Sequence, residues 1–209
     1  CRTGRRSDRR NRRAAGTLRS RAARGARRRF EELLKDPTAG RISGFQREVE
    51  YGLALAAEAC GDLTEAVAVL TRLRERHGDS LTDERRIASA LALTRCHRNR
   101  GDTGTAISVA EQEMSRSLGN GWNDELIELG ATLLSCYIAQ GDLLRAEQHA
   151  AELLSAAEAL NSPRAIVAAA WNAAIAADYA GRSEDALTLI DRAWAVQSEN
   201  GDPRNLARL

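Results

Sequence analysis

The chain has 209 residues, of which 43% are hydrophobic and only 4% aromatic, with three prolines and a formal charge of +2. That mix favours helices packed through small side chains over sheets. No run of 18 apolar residues is present to cross a bilayer and no charged-then-apolar leader opens the chain, so a soluble, cytoplasmic protein is expected.

The small net charge hides a sharp asymmetry. Residues 1–30 hold 13 arginines and one acid, Asp8, giving +12; the remainder, with 18 basic and 28 acidic residues, carries −10. Residues 1–25 therefore read as an Arg-rich, disordered arm on an acidic body. Such an arm could bind nucleic acid electrostatically. A linker, or upstream sequence read in the wrong frame, would look the same, and no aromatic residue precedes Phe30. Lysine occurs once, at Lys35, against 30 arginines, which points to a GC-rich bacterial source. Because the sequence opens on Cys1 and closes on Leu209 inside an apparent helix start, a fragment of a longer protein is expected.

Residues 26–209 carry a 40-residue period. Gly61, Gly101, Gly141 and Gly181 fall in register, each followed five residues later by alanine: Ala66, Ala106, Ala146 and Ala186. A glycine just past a helix can take the left-handed conformation that closes it. Asp62, Asp102 and Asp142, next in line, can cap the following helix. The alanine marks a close helix crossing. The sequence thus predicts an all-α, right-handed solenoid of antiparallel helix pairs.

The pairs follow in chain order. Ala26, Phe30 and Leu33 stand 40 residues before Ala66, Leu70 and Leu73, which makes 26–35 the second helix of a partial first unit. Full units are expected near 41–78, 81–118, 122–160 and 163–200, with the start of another at 203–209. Ser162-Pro163 and Asp202-Pro203, again 40 apart, have the form of helix starts. Apolar residues at helical spacing run through Leu126, Leu133, Leu134 and Tyr137, and then through Leu143, Ala146, Ala150, Leu153, Leu154 and Ala157. Ala186, Ile190, Ala193 and Trp194 form the expected inward stripe of the last helix.

Trp171-Asn172-Ala173-Ala174, then Gly181, Ala186, Ile190 and Ala193, resemble the tetratricopeptide repeat, as does the unit with Leu133, Tyr137, Gly141 and Ala146. Here Ala173-Ala174 replaces the family's Leu-Gly pair, and the period is 40 rather than 34. Long-period, Ala- and Arg-rich arrays are similar to the C-terminal sensor region of bacterial helix-turn-helix transcriptional regulators. The resemblance implies a module that binds a peptide, small molecule or protein partner on a concave face formed by the first helix of each pair. It implies DNA contact only through a domain missing from this sequence; a stand-alone scaffold that assembles other proteins is the alternative. A homodimer is compatible with either.

By register the exposed positions of that face are Arg95, Arg98 and Asn99, then Ser135 with Glu128, then Trp171, Asn172, Ile175 and Asp178. Asparagine can bond both polar groups of a peptide backbone, and arginine can grip a carboxylate. The ordinary alternatives are that Asn172 belongs to the repeat's own consensus and that Trp171 packs between helices. Cys1, Cys60, Cys96 and Cys136 lack paired metal-ligand spacing, and Cys96 and Cys136 repeat at 40, as buried packing residues would. Carboxylates look spread over helix surfaces, His77, His97 and His149 are scattered, and the in-register glycines belong to helix closure. No catalytic residues, metal or cofactor are therefore expected.

Overall fold

The computed structural model of the protein describes residues 21–36 and 44–199. Residues 1–20 of the arginine-rich arm and the Asp202-Pro203 start lie outside them. All regular structure among the described residues is helical, as expected: α1 (21–35), α2 (Phe45–Cys60), α3 (Leu63–His77), α4 (Asp83–Asn99), α5 (Thr103–Ser117), α6 (Asp124–Gln140), α7 (Leu143–Leu160), α8 (Pro163–Tyr179) and α9 (Ser183–Glu199). They fall into two compact units, Cys1–Ser80 and Leu81–Leu209.

The turn inside each pair is built locally. Gly61, Gly101, Gly141 and Gly181 all have φ between 77° and 81°, where a side chain would be strained. Behind each, two backbone bonds close the helix: Gly141 N–H donates to the Ile138 carbonyl and Asp142 N–H to the Tyr137 carbonyl, both at 3.0 Å. Asp62, Asp102 and Asp142 then accept from the backbone N–H three residues on, at 3.2 to 3.4 Å. The last pair has Arg182 at this position, and its guanidinium binds Glu147 on α7 and Asp185 on α9 instead.

In the first unit the Phe30 ring of α1 packs against Gly52 of α2, where a Cβ would lie 2.5 Å from Phe30 Cζ. Arg27 of α1 bonds Glu31, Asp62 and Glu65, tying α1 to the start of α3. In the second unit the first helices α4, α6 and α8 pack side by side, while α5 and α7 each pack against their own partner and the next first helix. That arrangement sets α6 among α4, α5, α7 and α8. It explains why Leu126, Ile127, Leu129, Leu134 and Cys136 of α6 are all fully buried. Cys60, Cys96 and Cys136 are free thiols, with Cys96 and Cys136 buried at equivalent positions.

The second unit also buries charge. Arg86 Nε donates to Glu113 Oε1 at 2.7 Å, and Ser117 Oγ donates to the same carboxylate oxygen at 3.0 Å. Glu113 is 1% exposed and Arg86 7%. One repeat later these places hold Leu126, Leu153 and Ala157.

His149 of α7 is enclosed as well. Its Nε2 lies 3.1 Å from the Gly130 carbonyl, and its ring meets the edge of Tyr137, centroids 5.9 Å apart. Burial holds its pKa below the usual histidine range, outweighing the Gly130 bond and the charges of Glu152 and Glu111. The neighbouring Tyr137 hydroxyl donates to Glu111 at 2.7 Å, and its pKa is pushed up to about 12, first by burial and then by that carboxylate. The unfolded chain therefore binds a proton at His149 more readily than the folded one. Stability should fall as pH drops below about 6.5, the value in the unfolded chain. Urea titrations between pH 7.5 and about pH 5 should show a flatter decline for His149→Gln than for the wild type; parallel profiles would contradict this origin.

Candidate ligand-binding face

The side-by-side packing of α4, α6 and α8 places positions 40 residues apart in rows across the second unit. One row contains Arg95, Ser135 and Ile175; another contains Arg98, Ile138 and Asp178. Arg95 is half-buried and has interaction partners, Arg98 is half-buried, and Asn99 is exposed at the end of α4. The Arg98 charge reaches the buried Cys136 thiol on α6: burial pushes that thiol's pKa up, and Arg98 opposes the rise.

Two residues from separate repeats meet directly. Ser135 Oγ lies 2.9 Å from Asn172 Oδ1 and 3.0 Å from the Ala131 carbonyl, so its one proton has two acceptors. Asn172 Nδ2 donates to the Ala168 carbonyl at 2.9 Å. The asparagine thus reaches α6 through its amide oxygen, while its amide nitrogen is held by its own helix, α8. Glu128 is paired with Arg164 across the same two helices.

Trp171 and Asp178 stand together on α8. With Ile175 and Tyr179 on α8, and Leu187 and Ile190 on α9, they line an open groove of about 430 Å³. The floor is apolar. Asp178 is exposed at its side and accepts from Ser183 Oγ at 3.3 Å.

Tyr179 and Leu187 were not singled out from the sequence. The signal was available in the register: position 187 corresponds to Ile107 and Glu147, and an apolar residue returns there after a charged one. Trp194 corrects the expected inward stripe of α9. It is 48% exposed, whereas Met114, its counterpart on α5, is 5% exposed because α6 covers it. Among the described residues no group of three or more His, Cys, Asp or Glu side chains is placed to hold a metal ion. No described helix is long and apolar enough to cross a membrane.

No protein-family model matches the chain, and no curated protein matches it in sequence. Solved structures do match in shape. A putative kinesin light chain from Podosopora anserina with nearly identical TPR-like repeats superposes with a TM-score of 0.64 at 21% identity, over 88% of this chain and 95% of that one. The fold is a tetratricopeptide-like array. BtubC from P. vanneervenii has a TM-score of 0.73 at 16% identity, covering 90% of this chain and 79% of its own. The Rap conjugation gene regulator of plasmid pLS20, solved with the Phr* peptide, has a TM-score of 0.70 at 14% identity. This chain matches 50% of the Rap chain and 89% of itself. At such identities the likeness is one of fold.

Proposed function

We propose that the array is a partner-binding module that takes a peptide on the face of its first helices, as the sensing part of a bacterial transcriptional regulator. DNA contact, in this reading, belongs to a helix-turn-helix domain outside this sequence. The observation that carries it is the group of polar side chains on the face of α4, α6 and α8. Arg95 and Arg98 supply cations there, and Ser135 and Asn172 are already held 2.9 Å apart by a bond between repeats. A face fixed in this way loses little entropy when a peptide docks. The peptide-bound Rap regulator, similar in fold, supports the same reading. Asn99, Trp171 and Asp178 border the face and complete the proposed contact set.

Two arginines on the first-helix face favour peptides with a carboxylate, through paired guanidinium bonds. Calorimetric titration of the 209-residue protein with a panel of short acidic and neutral peptides tests this. Acidic members should bind, and Arg95→Ala with Arg98→Ala should weaken them about tenfold or more. Equal affinity for wild type and double variant would place the ligand elsewhere. Reading the gene upstream of Cys1 tests the regulator half: a continuous frame into a helix-turn-helix domain supports it. A start codon near Phe30 would favour a stand-alone scaffold, a reading to which the apolar groove on α8 and α9 also lends support.

A further inference from the structure

The first helices of the second unit carry opposite charges at the two ends of their shared face. Toward their C-termini, α4 contributes Arg95 and Arg98, α6 contributes Ser135 and Ile138, and α8 contributes Ile175 and Asp178. Across the three helices the charge passes from cationic through neutral to anionic. The middle of this strip stays accessible although helices flank it on both sides. Ser135 and Ile138 are only half-buried with α4 and α8 both packed against α6. Access therefore belongs to the face itself and does not depend on what lies beyond α9.

The anionic end is not what its own helix favours. The C-terminus of a helix carries partial negative charge, which stabilises a cation in the last turn and not a carboxylate. Arg98, in the last turn of α4, follows that rule. Asp178, at the same place in α8, runs against it, and the last turn of α8 holds no basic residue. Its carboxylate is exposed and accepts a bond from Ser183 Oγ at 3.3 Å, a neutral partner that does not cancel its charge. At the opposite end Arg95 and Arg98 are half-buried, and Arg98 is near enough to α6 for its charge to act on Cys136. Glu128, further toward the helix starts, is already matched by Arg164.

We propose that this face takes a short peptide with both ends free, extended from α8 to α4, its N-terminal ammonium at Asp178 and its C-terminal carboxylate at Arg95 and Arg98. The inference rests on the peptide-binding reading above and adds to it a direction, a length and a requirement for free ends. Packed helices lie about 8–10 Å apart, so two steps span about 16–20 Å. At about 3.3 Å per residue, an extended chain of about five or six residues covers that distance. An arginine grips a terminal carboxylate by paired bonds, and an ammonium gives Asp178 a charge-assisted one. The reverse direction would set like charge against like at both ends. Between the ends, Ile138 and Ile175 offer apolar contact to the central side chains.

The probe is a hexapeptide that repeats alanine-leucine-serine twice, made free at both ends, N-acetylated, C-amidated and doubly blocked. Calorimetric titration into the full 209-residue protein should find the free form tightest, each block costing about tenfold. Asp178→Asn should abolish the difference between the free and acetylated forms and keep that between the free and amidated ones. Arg95→Gln with Arg98→Gln should do the reverse, a crossed pattern that a merely misfolded variant does not give. Binding indifferent to the blocks, or block effects that survive both sets of substitutions, overturns the proposal. If the arginine substitutions still weaken such binding, the peptide-binding reading stands without the direction. A doubly blocked hexapeptide with lysine first and glutamate last that binds as well as the free form would give the face to an internal segment of a larger protein, and also overturns it. So does absence of binding by the free form up to about 1 mM, while the acidic panel still tests the broader reading.

Discussion

Arg86→Leu alone should destabilise the second unit by about 3–5 kcal/mol, because it leaves the Glu113 carboxylate buried without its guanidinium. Glu113→Leu should fall toward the lower end of that range, since Arg86 keeps Asp83, whose side chain is partly in water. The informative variant is the pair. Arg86→Leu with Glu113→Leu recreates the apolar arrangement that the next repeat already uses: Leu126 and Leu153 are both fully buried at the equivalent places. Most of the lost stability should return in the double variant, giving a coupling energy of several kcal/mol in a double-mutant cycle read by urea unfolding. Additive losses would mean that the two seats differ in shape, and that the repeats are not interchangeable at this joint.

Ala146→Trp should be at least as damaging. Ala146 has no exposed surface and sits in the cluster that joins α6, α7 and α8 through Leu133, Tyr137 and Ala173. An indole there forces apart helices that touch through a methyl group, at a cost of about 3 kcal/mol or more. Each pair of the array is stabilised by its neighbours, so the damage should spread to α8 and α9. Leu144→Trp is the control: that side chain, two residues earlier on the same helix, is 68% exposed, and the change should stay within about 0.5 kcal/mol. Thermal unfolding of Ala146→Trp close to that of wild type would refute the close crossing.

These two expectations sit at opposite ends of what could be read from the sequence. Ala146 was legible, because a small residue recurring five places after a turn glycine can be seen without knowing what it touches. The glycine and aspartate of each turn were legible for the same reason: a positive φ and a helix cap are settled within five or six residues of chain. The Arg86–Glu113 pair was not. Its partners lie 27 residues apart on different helices, and each alone looks like an ordinary helix-surface charge.

The candidate site divides in the same way. The register placed Ser135 and Asn172 on one face, but their bond depends on how far α8 is turned against α6. Trp194 and Leu187 have the spacing of a core stripe, and were indistinguishable from Met114 and Ile107 by sequence. What separates them is the presence or absence of a covering helix. The sequence by itself determined where helices begin, end and cross, because those choices rest on backbone conformation and side-chain size, which are local. Only the tertiary structure decided which stripes are buried, which charges are paired and which groove is open, because burial belongs to a residue together with its neighbours in space.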